Sequence, residues 1–140
     1  MNTATDHTLT IGKLAKQADV GIDTIRFYER RGLLPQPQRT ASGYRLYSDA
    51  TVERLQFIRR AKSLGFSLEE ITALLKLQDK GGPKARVKAL TTRKLEQIET
   101  KIDDLTKMRD VLRELNQECS GAGDIAGCPI IEALTTEIQD

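Results

Sequence analysis

The feature that most limits how this chain folds is a stretch without punctuation. After Asp79, Lys80, Gly81, Gly82 and Pro83, about 35 residues pass with neither glycine nor proline. Such a run predicts one long helix over 83–118 rather than several short ones. Leu95, Ile98, Ile102 and Leu105 recur at steps of three and four, and Met108, Leu112 and Leu115 continue after a shift of phase, with charges between them. A stripe that narrow is the seam of a helix pair, and little else in a 140-residue chain is left to cover it. Pairing with a second copy, as an antiparallel coiled coil or a parallel one, is therefore expected. The alternative is a fold back onto the N-terminal helices as core.

The first half carries much denser punctuation. Ile11, Leu14 and Ala15 follow Thr10, a plausible N-cap, and predict a short helix that Ala18-Asp19-Val20-Gly21 breaks. Helical spacing resumes with Ile22, Ile25 and Tyr28 or Glu29 on successive turns, and Gly32 supplies a stop. Two short helices around a tight turn make a helix-turn-helix. Residues 33–49, with two prolines, a Ser-Gly pair and the alternating run Tyr44, Arg45, Leu46, Tyr47, read as a hairpin or wing. A helix capped by Ser48 or Asp49 follows, with Val52, Leu55, Phe57, Ile58 and Ala61 inward and Arg54, Arg59, Arg60 and Lys62 outward. Ser67 and Glu70 then have the spacing of a capping box before a helix to about Leu77. The fold class is mainly α: a winged helix-turn-helix over 8–78, the long helix over 83–118, and a loop with a short helix over 119–140.

Charge divides the chain in the same way. Residues 11–62 carry eleven Lys and Arg against five Asp and Glu, interleaved with Tyr and Phe, a pattern suited to a polyanion such as DNA. Residues 78–140 are net acidic, with ten bases against twelve acids. No run of apolar residues is long enough to span a bilayer, and the start Met-Asn-Thr-Ala-Thr-Asp lacks the pattern of an export signal, so a cytoplasmic protein with no membrane partner is expected. The only cysteines, Cys119 and Cys128, close a glycine-rich loop. In a cytosolic chain they suit a soft ion better than a structural disulfide. Pro129 is placed to be the first residue of a helix, which would set the Cys128 thiol at a helix N-terminus and favour its thiolate. The single histidine, His7, is remote in sequence, so a Cys/His site is poorly supplied. A reversible dithiol switch is the first rival reading. An enzyme built on a reactive cysteine lacks a base near it in sequence.

Together these residues resemble the MerR family of transcription regulators. The string Thr24-Ile-Arg-Phe-Tyr-Glu-Arg-Arg-Gly-Leu-Leu-Pro35 is highly specific to that family, the wing motif Gly43-Tyr-Arg-Leu-Tyr47 and the element order agree, and Cys119-x8-Cys128-Pro-Ile-Ile resembles its metal-responsive branch. The resemblance implies a homodimer that binds a palindromic promoter element and, with its effector, distorts an overlong spacer so that RNA polymerase can engage. It implies DNA contacts from Thr24, Arg26 and Tyr28 on the second helix, from Arg39, Tyr44 and Arg45 in the wing, and from Lys13, Lys16 and Arg54 on phosphates. Tyr47 and Phe27 are read as packing. A drug-binding member of the family would need a larger C-terminal domain than the one here.

For the metal, the resemblance implies ligation by Cys119 and Cys128. The family's divalent-metal members carry a third cysteine near the start of the long helix, and the matching position here is Lys84. Two thiolates suit linear coordination of Cu(I), Ag(I) or Au(I), which is the favoured cofactor class. A monovalent ion on a dithiolate leaves one negative charge, which Lys84 or Lys88 of a second copy could neutralise. The eight residues between the cysteines instead resemble the mercury-type spacing, so Hg(II), or Zn(II), is the alternative.

Overall fold

A computed structural model describes residues 7–136, the side chains of His7 and Thr8 excepted. The chain divides into two compact units, Met1–Leu90 and Thr91–Asp140.

The first unit begins with β1 (His7–Leu9), a strand that the sequence does not announce. Helix α1 (Ile11–Ala18) is capped by Thr10, whose hydroxyl accepts the Lys13 amide at 3.3 Å, and Asp19 ends it in the left-handed region at φ 56°. Helix α2 (Ile22–Arg30) packs against α1 through Ile25 and Tyr28. Two strands follow, β2 (Gln38–Arg39) and β3 (Arg45–Ser48), antiparallel, with Arg39 opposite Arg45. β3 also pairs with β1, His7 opposite Ser48, giving the order β1-β3-β2. β1 therefore exists because it finds a partner far along the chain, a tertiary cause that local periodicity does not carry.

Helix α3 (Asp49–Ser63) buries Leu55, Ile58 and Ala61, and α4 (Leu68–Lys80) buries Ile71 and Leu75. The Ser67–Glu70 capping box forms in full, with bonds of 3.2 and 2.8 Å. α4 runs three residues beyond the expected Leu77, because Asp79 is held by Arg54 and the chain turns only at Gly81, at a φ of 79°. Leu14, Ile25, Leu33, Tyr47, Leu55, Ile58, Ile71 and Leu75 form the centre of this unit, all essentially inaccessible to solvent.

Helix α5 (Lys84–Glu118) has 35 residues, and none of them is buried. Its seam residues Leu95, Ile102, Leu105, Met108 and Leu112 each expose more than half their surface. A short α6 (Pro129–Thr135) follows the cysteine loop, with Pro129 at its first turn and Cys128 as the capping residue. No helix among the described residues is long and apolar enough to cross a membrane.

Candidate nucleic-acid interface and thiolate loop

The outward face of α2 follows from its inward one. Ile25 and Tyr28 are buried, so Asp23, Arg26, Phe27 and Arg30 turn to solvent and Thr24 is half-buried. Two sequence expectations change places here. Tyr28, expected on the DNA surface, is 5% exposed and its ring belongs to the core, while Phe27, expected in the core, is 39% exposed. The cause is helix phase: one residue of offset on a nine-residue helix rotates a side chain by about 100°. The Arg31 guanidinium stands 5.4 Å from the centroid of the Phe27 ring.

The wing is built on its own hydrogen bonds. The Thr40 amide donates to the Tyr44 carbonyl at 2.8 Å, the Gly43 amide to the Thr40 carbonyl at 2.9 Å, and the Tyr44 amide to the Thr40 hydroxyl at 3.1 Å. Arg39 folds back so that its guanidinium donates to the Gly43 carbonyl at 3.3 Å. This frame presents Tyr44 with 72% of its surface free. Tyr47 points the other way, into the core, where its hydroxyl donates to Glu29 of α2. Arg45 donates to the other oxygen of the same carboxylate at 2.9 Å. Burial, then the hydrogen bond and charge of Glu29, push the Tyr47 phenol up to about 12, with Arg45 opposing.

Lys13 and Lys16 are exposed on α1. Arg54, expected as a phosphate contact, is engaged within the head. Its guanidinium donates to both Asp79 oxygens at 2.6 and 2.8 Å and to the Leu33 carbonyl at 3.0 Å, so it braces α3 against the end of α4 and the turn after α2. Local spacing marks Glu29 only as an alternative to Tyr28 on the inward stripe; its partners lie 16 and 18 positions away, where no local pattern reaches.

In the second unit, Cys119 and Cys128 are free thiols, both half-buried, at the two ends of the loop. Residues 118–129 enclose a shallow concavity. The turn into Cys128 passes through Gly127 at a φ of 81°, which a β-carbon would strain. The Cys128 thiol is held below the ordinary thiol range, chiefly by the amides of Ile131 and then Ile130 in the first turn of α6, and also by a hydrogen bond with Cys119; burial and Glu132 oppose this. The loop thus brings its two sulfurs together and stabilises one of them as thiolate. No group of three or more His, Cys, Asp or Glu side chains suited to a metal occurs among the described residues, and the His7 side chain lies outside them. Two sulfur donors suit a soft, thiophilic metal ion.

Residues 9–78 match the family model described as MerR HTH family regulatory protein, and residues 52–115 the one described as MerR, DNA binding. The mercuric resistance operon regulatory protein of Bacillus cereus is 47% identical over 125 residues, covering 89% of this chain and 95% of that protein. Among solved structures, a transcription regulator from Ralstonia metallidurans in complex with lead(II) is 37% identical with a TM-score of 0.82, covering 91% of this chain and 99% of the other. A MerR from Bacillus megaterium in complex with mercury(II) is 41% identical with a TM-score of 0.71, covering 91% and 100%.

Proposed function

This chain belongs to the MerR family of helix-turn-helix regulators, and from that premise we propose that it is a metal-responsive transcription regulator. It acts as a homodimer paired through α5, grips promoter DNA with α2, α1 and the wing, and answers a soft thiophilic ion held by Cys119 and Cys128. Its output is a change of promoter DNA shape that lets RNA polymerase engage. The uncovered stripe of α5 supports the pairing, and the exposed Arg26, Tyr44 and Lys13 support the DNA contacts. The division of labour follows the boundaries 8–78, 83–118 and 119–140.

One observation carries the ion class: two thiols converge, one favoured as thiolate, and no third metal-binding side chain joins them among the described residues. Two-coordinate sulfur suits Cu(I), Ag(I), Au(I) and Hg(II), whereas zinc almost always takes four ligands in protein sites. With Lys84 where the family's divalent sensors place a thiol, we favour the monovalent coinage ions. Mercury(II) is the second reading, and the eight-residue loop and the mercuric resistance regulator of Bacillus cereus support it.

Transcription in a purified system, with reduced protein, RNA polymerase and the chain's own promoter, tests both. Activation by one Cu(I) per subunit, lost in Cys128→Ser with DNA affinity retained, is the expected result. Mercury-only activation selects the second reading. Zinc-selective activation, or activation by a mild oxidant without metal, overturns the two-sulfur ion site.

A further inference from the structure

Between α2 and the wing, Arg26, Glu29, Arg30 and Arg45 line a concavity of about 490 Å³. Three guanidinium groups and one carboxylate give it a formal charge of +2. Arg26 and Arg30 stand four residues apart on one face of α2, are exposed, and have no hydrogen-bond or ion-pair partner among the described residues. Glu29 differs from them. Its side chain is 10% exposed, and both its oxygens are engaged, one by Arg45 and one by the Tyr47 hydroxyl. Tyr47 is itself fixed in the core at 1% exposure, so the carboxylate is anchored to the wing strand from below. Arg45 gives Glu29 one amino group, also lies within hydrogen-bonding reach of the Tyr47 hydroxyl, and leaves 39% of its side-chain surface open.

A carboxylate facing a polyanion weakens binding by simple repulsion. Held by a buried phenol and aimed at one arginine, it instead fixes where that arginine points, and an ordered guanidinium loses less freedom when it meets an oxyanion. We propose that this concavity seats one phosphodiester group of duplex DNA, with Arg30 and Arg45 as its clamps and Glu29 as the positioning residue that aims Arg45. The inference rests on the DNA-binding reading above and adds Glu29 and Arg30 to it.

Glu29→Gln keeps the shape of the side chain and an acceptor oxygen while removing its charge. Repulsion alone makes this variant bind DNA more tightly. A positioning role makes it bind about tenfold more weakly, the effect typical of one charge-assisted hydrogen bond. Because phosphate contacts carry no sequence information, the weakening is equal on the chain's own promoter DNA and on a random duplex of about 30 base pairs. In an Arg45→Ala background, Glu29→Gln adds nothing further. Arg30→Ala touches no packed group, and it flattens the dependence of log affinity on log salt by about 0.9 for each phosphate that is no longer neutralised. Unchanged or tighter binding by Glu29→Gln, an effect that persists without Arg45, or an unchanged salt slope in Arg30→Ala overturns the phosphate seat. If Glu29→Gln lowers the thermal midpoint, the Arg30→Ala slope decides alone. Failure of the unmodified protein to bind either duplex removes the DNA-binding reading itself, an outcome distinct from all of these.

Discussion

The head and the long helix answer the hydrophobic effect in opposite ways. Between Leu9 and Leu75 the apolar residues close on each other: Leu14, Ile25, Leu55, Ile58 and Ile71 are each fully buried, and no buried side-chain polar atom among the described residues lacks a partner. In α5, apolar residues of the same kinds recur with equal regularity and none is buried. The difference is one of geometry. Several short helices and a three-stranded sheet can surround a core, whereas a single 35-residue helix has nowhere to put a stripe except against another helix. The head thus closes its core within its own chain, whereas α5 leaves its apolar stripe uncovered.

Substitutions break this comparison at different points. The largest effect falls in the head: Leu55→Ala removes a side chain with no solvent exposure and costs about 2–5 kcal/mol of unfolding free energy, the same at every protein concentration in chemical denaturation. On α5, Leu105→Glu places a charge in the seam. It raises the dimer dissociation constant by at least about a hundredfold in sedimentation, while the head's own unfolding is unaltered. An equal loss of head stability in that variant would erase the distinction.

Smaller effects sharpen the picture of the head. Tyr47→Phe removes the donor to Glu29 and costs about 1.5–3 kcal/mol at neutral pH. Its pH signature has a definite sign. The folded phenol is pushed up to about 12, above the ordinary value of 10.0, so its contribution is complete below pH 10 and is lost as pH rises toward 12. The Tyr47→Phe chain loses less stability than the unmodified protein over that window in alkaline unfolding curves. Asp79→Asn has the smallest effect, under about 1 kcal/mol, since the Asp79 side chain is half exposed and solvent screens the pair. Arg54 holds that carboxyl below its ordinary 3.8, so the contribution is present above that value and disappears as acid protonates the folded form; the two proteins converge in stability there.

Much of this organisation is legible in the residues, for identifiable reasons. The long helix, the capping box at Ser67 and the proline behind Cys128 are local signals, complete within a few positions. Phe27 and Tyr28 exchange their expected places because two adjacent aromatics on a short helix differ only in phase, and phase is set by what packs against the helix. β1 and the partners of Arg54 and Glu29 depend on residues 16 or more positions distant, which no short window along the chain contains. For the thiolate loop, the sequence names both sulfurs and the helix behind them. That Cys119 and Cys128 meet, and that the Ile131 and Ile130 amides turn toward the second, is visible only in three dimensions.

The central functional claim is the number of sulfurs around the bound ion. X-ray absorption at the metal edge, on reduced protein loaded with one Cu(I) per subunit and on a second sample loaded with Hg(II), counts them directly. A site made by Cys119 and Cys128 alone gives two sulfur neighbours in a linear shell, unchanged in Lys84→Ala and lost in Cys128→Ser. Three or more protein ligands in the unmodified chain would contradict it.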